Sequence, residues 1–231
     1  MSCDPVEEAV RGALELLDSL GPFKLVGMGT GSTVSRLLER AKGREWSLLP
    51  SSLDTLLRAR EMGFRTEHVG EMEVYVDSAD EVNREGSMIK GGGGAMLGEK
   101  VLAFNSPLNV FVVSENKLVE TLSRPVPVEV VRDFFWFVKR ALERRGYGVA
   151  VREGSGKRGA VVSDWGGVIL DVTLGPIREP ERAELELKSI PGVVETGIFH
   201  GLTDYLVVGH RSCSYSVLRF GRRKGGNRGE L

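Results

Sequence analysis

The sequence predicts an α/β protein with a Rossmann-like, mostly parallel sheet, helices on both faces of that sheet, and a smaller inserted α+β domain. Two observations support this prediction. Short apolar segments alternate with helical segments over residues 5–122, which is typical of a parallel sheet covered on both faces. After residues 124–127 (Arg-Pro-Val-Pro) the order of elements changes, and an apolar segment at 205–208 then returns to the first sheet.

The first helix is predicted over residues 5–20, with Asp4 as its N-cap and Pro5 at its first position. Its apolar residues recur at three- and four-residue steps: Val6, Val10, Ala13, Leu14 and Leu17. The next predicted elements are a strand at 23–26, a helix carrying Val34, Leu37 and Leu38, a strand at 46–49, a helix at 53–62, a strand at 73–76, a helix at 95–104, a strand at 109–113 and a short helix at 117–122.

The second group of elements is predicted to form a compact βαββαβ, or ferredoxin-like, module. Its parts are a strand at 128–131, a helix at 134–145, strands at 149–152 and 160–162, a hairpin turn at 164–167, a strand at 168–172, a helix at 180–190 and a strand at 193–198. We therefore divide the chain into a Rossmann-like domain (1–127 and 202–221), an inserted domain (128–201) and a disordered basic tail (222–231).

Composition removes several classes of function. In 231 residues the formal net charge is −1, which offers no electrostatic argument for nucleic acid or a membrane as a partner. No apolar run approaches the ~18–20 residues that span a bilayer, and the N-terminus lacks the layout of a signal peptide. Cys3 and Cys213 lie at opposite ends of the sequence, so we expect no disulfide, two inert cysteines and a cytoplasmic location. The absence of glutamine and the excess of arginine over lysine predict a thermostable protein.

Residues 27–33 (Gly-Met-Gly-Thr-Gly-Ser-Thr) follow the first strand and open a helix. The dinucleotide fingerprint fails because Ser32 occupies its sixth position, and there is no Gly-Lys-Ser/Thr ending of a P-loop. A glycine turn with hydroxyl groups at a helix N-terminus favours a phosphate-type anion, and the alternative is a plain helix cap.

Two further segments carry charged residues that suit a site. Residues 77–83 contain Asp77, Asp80 and Glu81, which suit helix capping, catalysis or a divalent metal. Residues 89–100 contain Lys90, four consecutive glycines and then Glu99 on the next helix. Ordering four glycines is costly, so such a run indicates close approach to the backbone or amide groups that converge on an anion; the alternative is a flexible linker. Glu99 is the candidate base, unless it only complements the helix dipole. Because parallel strands end at the same edge of a sheet, residues 27–33, 77–81 and 114–117, which follow predicted strands, are expected to converge.

Taken together, these segments resemble type A ribose-5-phosphate isomerases. The likeness rests on residues 27–33, 77–81 and 90–100, together with 116–117, 125–130, 163–167 and 190–195, and it covers nearly the whole chain up to about residue 210. Three features depart from the family pattern. Ser78 replaces a glycine, Trp165 and Gly167 replace asparagines in a hairpin that we expect to touch the second domain rather than the chemistry, and the basic tail has no counterpart.

The resemblance implies an aldose–ketose isomerase that interconverts D-ribose 5-phosphate and D-ribulose 5-phosphate through a cis-enediol, in the pentose phosphate pathway. It implies that Glu99 is the general base and that Asp77, Asp80 and Lys90 are catalytic. The residues expected to bind substrate are Thr30, Gly31, Ser32, Thr33, Ser78, Ala79, Gly91, Gly92, Gly93 and Lys117. No metal or cofactor is expected, and the implied assembly is a homodimer or homotetramer.

Three alternatives remain open at the level of sequence. One is a sugar-phosphate-sensing module without turnover, although only some twenty residues precede the first strand, where such a regulator needs a DNA-binding unit. The others are a deaminase or acyl-group transferase on the same architecture and, least favoured, a nicotinamide dehydrogenase.

Overall fold

The computed structural model describes residues 3–154, 156 and 158–221. The chain contains six α-helices and fifteen strands within this part. The helices are α1 (Pro5–Leu20), α2 (Ser32–Arg40), α3 (Leu53–Glu61), α4 (Met96–Asn105), α5 (Phe135–Arg144) and α6 (Pro180–Lys188). The strands are β1 (Leu25–Met28), β2 (Ser47–Pro50), β3 (Arg65–Thr66), β4 (Val74–Asp77), β5 (Glu81–Asn83), β6 (Met88–Ile89), β7 (Asn109–Ser114), β8 (Leu118–Val119), β9 (Val126–Val130), β10 (Gly148–Val151), β11 (Val168–Thr173), β12 (Val193–Thr196), β13 (Ile198–Phe199), β14 (Tyr205–His210) and β15 (Ser214–Arg219).

The central sheet has seven strands in the order β15-β14-β7-β4-β1-β2-β3. All of its neighbouring strands run parallel except β14 and β15, which form an antiparallel edge. One hydrophobic core joins the apolar faces of α1 and α2 to the sheet, and a second core includes Met96, Leu102 and Ala103 of α4. Helices therefore cover both faces, and the predicted fold class is confirmed.

Helix α1 begins and ends where its sequence signals place it. The side chain of Asp4 accepts a hydrogen bond from the backbone N–H of Val6 at 2.9 Å, and Pro5 occupies the first turn. An N-cap acceptor satisfies one of the backbone donors that a helix start leaves without an intrahelical partner.

A second, antiparallel sheet has the order β10-β11-β9-β12 and carries its own hydrophobic core with α5 and α6. Its element order is the predicted βαββαβ arrangement. A small sheet has the order β13-β6-β5-β8, and it joins β5, β6 and β8 of the first group of elements to β13, which follows β12 of the second group. The domain boundaries at 127/128 and 201/202 stay predictions, and the tail predicted at 222–231 lies outside the described residues.

Two local predictions are wrong. The expected helix at 117–122 is instead a 3₁₀ turn (Glu115–Lys117) followed by β8, which pairs in parallel with β5. Residues 160–162 do not form a strand, since Ala160 and Val162 make only isolated bridges, to Glu153 and Val168. At 118–119, pairing with a distant segment outweighs local preference. Strand β15 was not predicted at all.

The prediction for the cysteines is also wrong, because Cys3 and Cys213 form a disulfide across 210 residues of sequence. Helix α1 packs against β14, as the contact of Gly209 with the carbonyl of Pro5 shows, and this packing brings the N-terminus to the β14–β15 turn. The argument for a reducing compartment therefore fails, and the cytoplasmic location stays a prediction. Among the described residues no helix is long and apolar enough to cross a membrane.

Candidate active site

A pocket of about 130 Å³ lies at the carboxyl ends of β1, β4 and β7. It is lined by Thr30, Gly31, Ser32, Thr33, Ser78, Ala79, Asp80, Lys90, Gly91, Gly92, Gly93, Glu99 and Lys117. The polar segments expected to converge do so. Of the site residues predicted from the sequence, Asp77 is the one that does not line the pocket.

One end of the pocket is the N-terminus of α2. Gly31 caps this helix with φ 118°, a value that glycine adopts readily, and it offers no side-chain cap. The first N–H groups of a helix have no intrahelical acceptor, and the helix dipole places partial positive charge there. Ser32, Thr33 and Lys117 also line the pocket. This end of the pocket suits an anion with several oxygen atoms.

A cluster of hydroxyl groups holds Thr30, which lines the pocket directly before Gly31. The hydroxyl of Thr30 is within hydrogen-bond distance of those of Ser51 (3.0 Å), Ser52 (2.7 Å) and Thr55 (3.1 Å). Thr55 also donates to the carbonyl of Gly29 at 2.7 Å. The turn after β1 is therefore tied to the turn after β2. Ser51, Ser52 and Thr55 were not among the residues predicted from the sequence. The signal that could have identified them is the pair of serines directly after an apolar strand.

The centre of the pocket wall is a buried lysine between two carboxylates. Nζ of Lys90 lies 2.6 Å from Oδ2 of Asp77 and 3.2 Å from Oε2 of Glu99, and it donates to the carbonyl of Ser78 at 2.6 Å. Burial by itself would lower the pKa of Lys90, but the carboxylates of Asp77 and Glu99 hold that pKa above its ordinary value. Lys90 is therefore a fixed cation.

Asp77 is completely buried beneath this lysine. Its carboxylate accepts hydrogen bonds from the hydroxyl of Tyr75 and from the backbone N–H of Ser78 at 2.7 Å. A Cβ on Gly29 would lie 1.9 Å from the carboxyl carbon, so only glycine allows this close approach. Burial and the adjacent Asp77 raise the pKa of Tyr75 well above its ordinary value, which keeps its hydroxyl a donor.

Glu99 is placed by the first turn of α4, where its N–H donates to the carbonyl of Ala95 at 3.0 Å. Only 3% of its surface is exposed, and its Oε2 accepts no hydrogen bond from the described residues despite the nearby charge of Lys90. Burial raises the pKa of Glu99 to about 8; Lys90 opposes this rise, and the negative charge of Asp77 adds to it. A carboxylate with this environment has the properties of a general base tuned toward neutral pH.

The four glycines form a tight turn over the pocket. Gly91 and Gly94 have φ values of 100° and 81°, and the N–H of Gly94 donates to the carbonyl of Gly91 at 3.0 Å. The N–H of Gly92 donates to Oδ2 of Asp80 at 2.8 Å. The run is therefore an ordered wall of the pocket, and the interpretation as a linker is wrong.

The three acids at 77–81 have different partners. Asp77 pairs with Lys90 and Asp80 with the glycine turn. Glu81 accepts from the backbone of Ser123 and Arg124 at 2.7 and 3.1 Å. They do not share one cavity as ligands of one ion would, and no cluster of potential metal ligands occurs among the described residues.

Comparison with known proteins connects this geometry to a family. The model of the family described as ribose 5-phosphate isomerase A (phosphoriboisomerase A) matches residues 47–213. The chain belongs to this family. Ribose-5-phosphate isomerase A of Aeropyrum pernix is 48% identical, over 94% of this chain and 95% of the relative. That of Methanothermobacter thermautotrophicus is 39% identical, over 85% of this chain and 91% of the relative.

Solved structures of the family share the fold. A ribose 5-phosphate isomerase A from Methanocaldococcus jannaschii matches with a TM-score of 0.84 and 32% identity, covering 94% of this chain and 98% of that one. A D-ribose-5-phosphate isomerase solved in complex with phospho-erythronic acid matches with a TM-score of 0.85 and 30% identity, covering 93% and 97%.

In this member of the ribose-5-phosphate isomerase A family, the hairpin at 163–167 contacts helices α3 and α4. Oδ2 of Asp164 accepts from the N–H of Leu53 at 2.8 Å, and the ring of Trp165 lies 3.0 Å from the position of a Cβ on Gly98. Gly98 directly precedes Glu99. The hairpin was expected to touch the second domain rather than the chemistry; it does not line the pocket, but it does contact the helix that carries Glu99.

A second connection involves Lys100, which follows Glu99. Its Nζ lies 2.5 Å from Glu184 and 2.9 Å from Glu195, and both acids belong to the βαββαβ group of elements. In addition, the N–H of Lys90 donates to the carbonyl of Gly197 at 2.8 Å. Lys90 and the residue that follows Glu99 are therefore both held by the second group of elements. These contacts were not predicted from the sequence.

Proposed function

We propose that this protein interconverts D-ribose 5-phosphate and D-ribulose 5-phosphate through a cis-enediol, as its family membership indicates. The observation that carries the proposal is the buried pair of Glu99 and Lys90, 3.2 Å apart in a pocket that is also lined by the N-terminus of a helix. Such a pocket suits a short sugar that carries an anionic phosphate.

The phosphate binds at the N-terminus of α2, where backbone N–H groups, the hydroxyls of Ser32 and Thr33 and the ammonium group of Lys117 surround it. Gly31 and Thr30 complete this end. The remaining wall residues proposed to contact substrate are Ser78, Ala79, Gly91, Gly92 and Gly93.

The proton transfer then runs between adjacent carbons. Glu99 removes the proton from C2 of the open-chain aldose while the C1 carbonyl becomes an enediolate oxygen. The same carboxyl group returns that proton to C1 as the carbonyl forms at C2, and the hydroxyl proton of O2 passes to O1. A positioned general base contributes roughly 10²–10⁴-fold to such a step.

Lys90 stabilises the enediolate oxygens as charge develops on them, because a fixed cation in a site screened from water acts without reorganisation. Asp77 does not line the pocket, so we assign it the role of holding and orienting Lys90 through their 2.6 Å ion pair. Asp80 does line the pocket and is proposed to bind sugar hydroxyls and assist ring opening. Every step uses side chains and backbone groups of this chain.

The substitution Glu99→Gln tests the proposal because it removes the base and keeps the volume. Turnover should fall by on the order of 100-fold or more with KM changed by only a few-fold, since the base matters mainly in the transition state. Exchange of deuterium from solvent into C1 and C2 should disappear in parallel. Glu129→Gln is the matched control, because Glu129 is also buried but lies outside the pocket.

Two outcomes contradict the proposal. Preserved turnover with a large rise in KM would remove Glu99 from the role of base. A folded wild-type protein that binds ribose 5-phosphate without turnover, with affinity unaltered by Glu99→Gln, would favour the sugar-phosphate-sensing module.

For assembly, we propose a homodimer or homotetramer. Support comes from exposed aromatic side chains at the start of α5, where Phe134, Trp136 and Phe137 are 58%, 55% and 72% exposed. Exposed apolar surface of this kind commonly marks contacts between proteins. Sedimentation equilibrium at several concentrations distinguishes these two states from a monomer.

A further inference from the structure

Arg152 connects the second sheet to the glycine turn. It directly follows β10, and its Nη1 donates to the carbonyl of Gly91 at 2.6 Å and to that of Gly92 at 3.3 Å. The other edge of the guanidinium pairs with Asp171 of β11: Nε lies 3.0 Å from Oδ2, and Nη2 bonds to Oδ1. Arg152 does not line the pocket.

These contacts determine which way two peptide planes face. In a trans peptide the carbonyl of one residue and the N–H of the next point in opposite directions. With the carbonyl of Gly91 held by Arg152, the N–H of Gly92 is directed to Asp80, and their 2.8 Å hydrogen bond is present. In the same way, holding the carbonyl of Gly92 turns the N–H of Gly93 away from Arg152.

Glycine peptides need such a restraint because they flip easily between conformations. A flipped Gly91–Gly92 plane would remove the donor to Asp80 and would place a carbonyl oxygen against the carboxylate of Asp80 instead. Arg152 is suited to prevent this, because its rigid fork satisfies a carboxylate on one edge and carbonyl oxygens on the other.

We propose that Arg152 is a positioning residue: paired with Asp171, it fixes the peptide planes of Gly91–Gly92 and Gly92–Gly93 and, through them, orients Asp80. This inference rests on the proposed isomerase function. Wild-type turnover tests that function separately, whereas the variants below are compared with an active wild type.

The central experiment compares Arg152→Ala, Arg152→Lys and Asp171→Asn in steady-state kinetics. Arg152→Ala should lower kcat by ~10–100-fold, because a misplacement of about 1 Å at a site costs up to 10²-fold. Its affinity for 4-phosphoerythronate, whose carboxylate is similar to an enediolate, should fall by a larger factor than KM rises. Arg152→Lys should recover part of kcat, since an ammonium group can reach one carbonyl without the paired geometry.

Asp171 should act only through Arg152. Asp171→Asn alone should therefore lower kcat by less than Arg152→Ala, and the double variant should be no slower than Arg152→Ala. Arg182→Ala is the control, because Arg182 belongs to the same group of elements but makes an exposed ion pair with Glu179. Its kinetics should match the wild type.

Backbone hydrogen exchange gives a readout that does not depend on turnover. Peptides covering residues 90–94 should exchange faster in Arg152→Ala, while peptides from α1 should keep wild-type protection. The proposal is overturned if folded Arg152→Ala keeps kcat and KM within twofold of wild type. Losses that add independently in the double variant, or unchanged exchange at 90–94, also overturn it.

Discussion

The disulfide between Cys3 and Cys213 allows a prediction about thermal stability. Replacing both residues in Cys3→Ser/Cys213→Ser removes a link between the start of α1 and the β14–β15 turn. Neither residue lines the pocket, so turnover below the melting transition should stay at the wild-type value.

The size of the effect follows from the length of the closed loop. A crosslink across 210 residues restricts nearly the whole unfolded chain, and the chain-entropy relation gives about 5 kcal/mol at 25 °C for a loop of this length. In a domain of this size each kcal/mol corresponds to roughly 2–4 °C in Tm. The double variant should therefore melt roughly 10–20 °C below the oxidised wild type.

Differential scanning calorimetry of the oxidised wild type, the reduced wild type and the double variant measures this difference, with thiol alkylation and mass spectrometry to verify the state of each sample. Reduced wild type and double variant should melt together. A verified reduction that changes Tm by less than 2 °C would refute the reasoning, because it would mean that the linked ends stay together in the unfolded chain or do not restrict it.

Two further predictions concern Glu99 and its helix. In Gly98→Ala the new Cβ would lie 2.2 Å from the carbonyl oxygen of Ser51, so α4 must move although alanine is the better helix former, and kcat should fall ~10–100-fold. Gly154→Ala is the control, because its Cβ would meet Val161 at an ordinary 3.5 Å and kcat should not change. Equal values of kcat in the two variants would contradict the steric argument. The second prediction concerns pH. Because the pKa of Glu99 rises from 4.5 to about 8 on folding, its contribution to stability is complete below pH 4.5 and is lost as pH rises toward 8. Melting curves from pH 4 to 9 should therefore show Glu99→Gln becoming progressively more stable relative to wild type over that interval. A difference that does not vary with pH would mean that the carboxyl group titrates alike in both states.

Local signals in the sequence were sufficient for much of the fold. Helix α1 was predicted to the residue because its cap, its proline and its apolar spacing are all within a few positions of one another. The pocket walls were also predictable, because glycine turns and charged residues directly follow apolar strands whose ends meet at one edge. The catalytic and binding roles of these residues stay predictions.

Features that depend on partners far away in the chain left no such signal. Strand β8 forms because residues 118–119 pair with Val82 and Asn83. The local sequence at 118–119 does not indicate this partner. The same reason explains the disulfide, whose cysteines meet only because α1 packs on β14. Arg152 looked like any charged residue at the end of a strand, since its carbonyl acceptors lie 61 and 60 positions away.

The bonds from Lys90 to Gly197 and from Lys100 to Glu184 and Glu195 have a consequence for dissecting this protein. A fragment limited to the Rossmann-like elements would retain Glu99 and Lys90 in sequence, yet it would lose the contacts that hold their backbone and neighbours. We therefore expect such a fragment to lose the arrangement of Glu99 and Lys90, because the second group of elements holds these residues in place as directly as the elements that carry them.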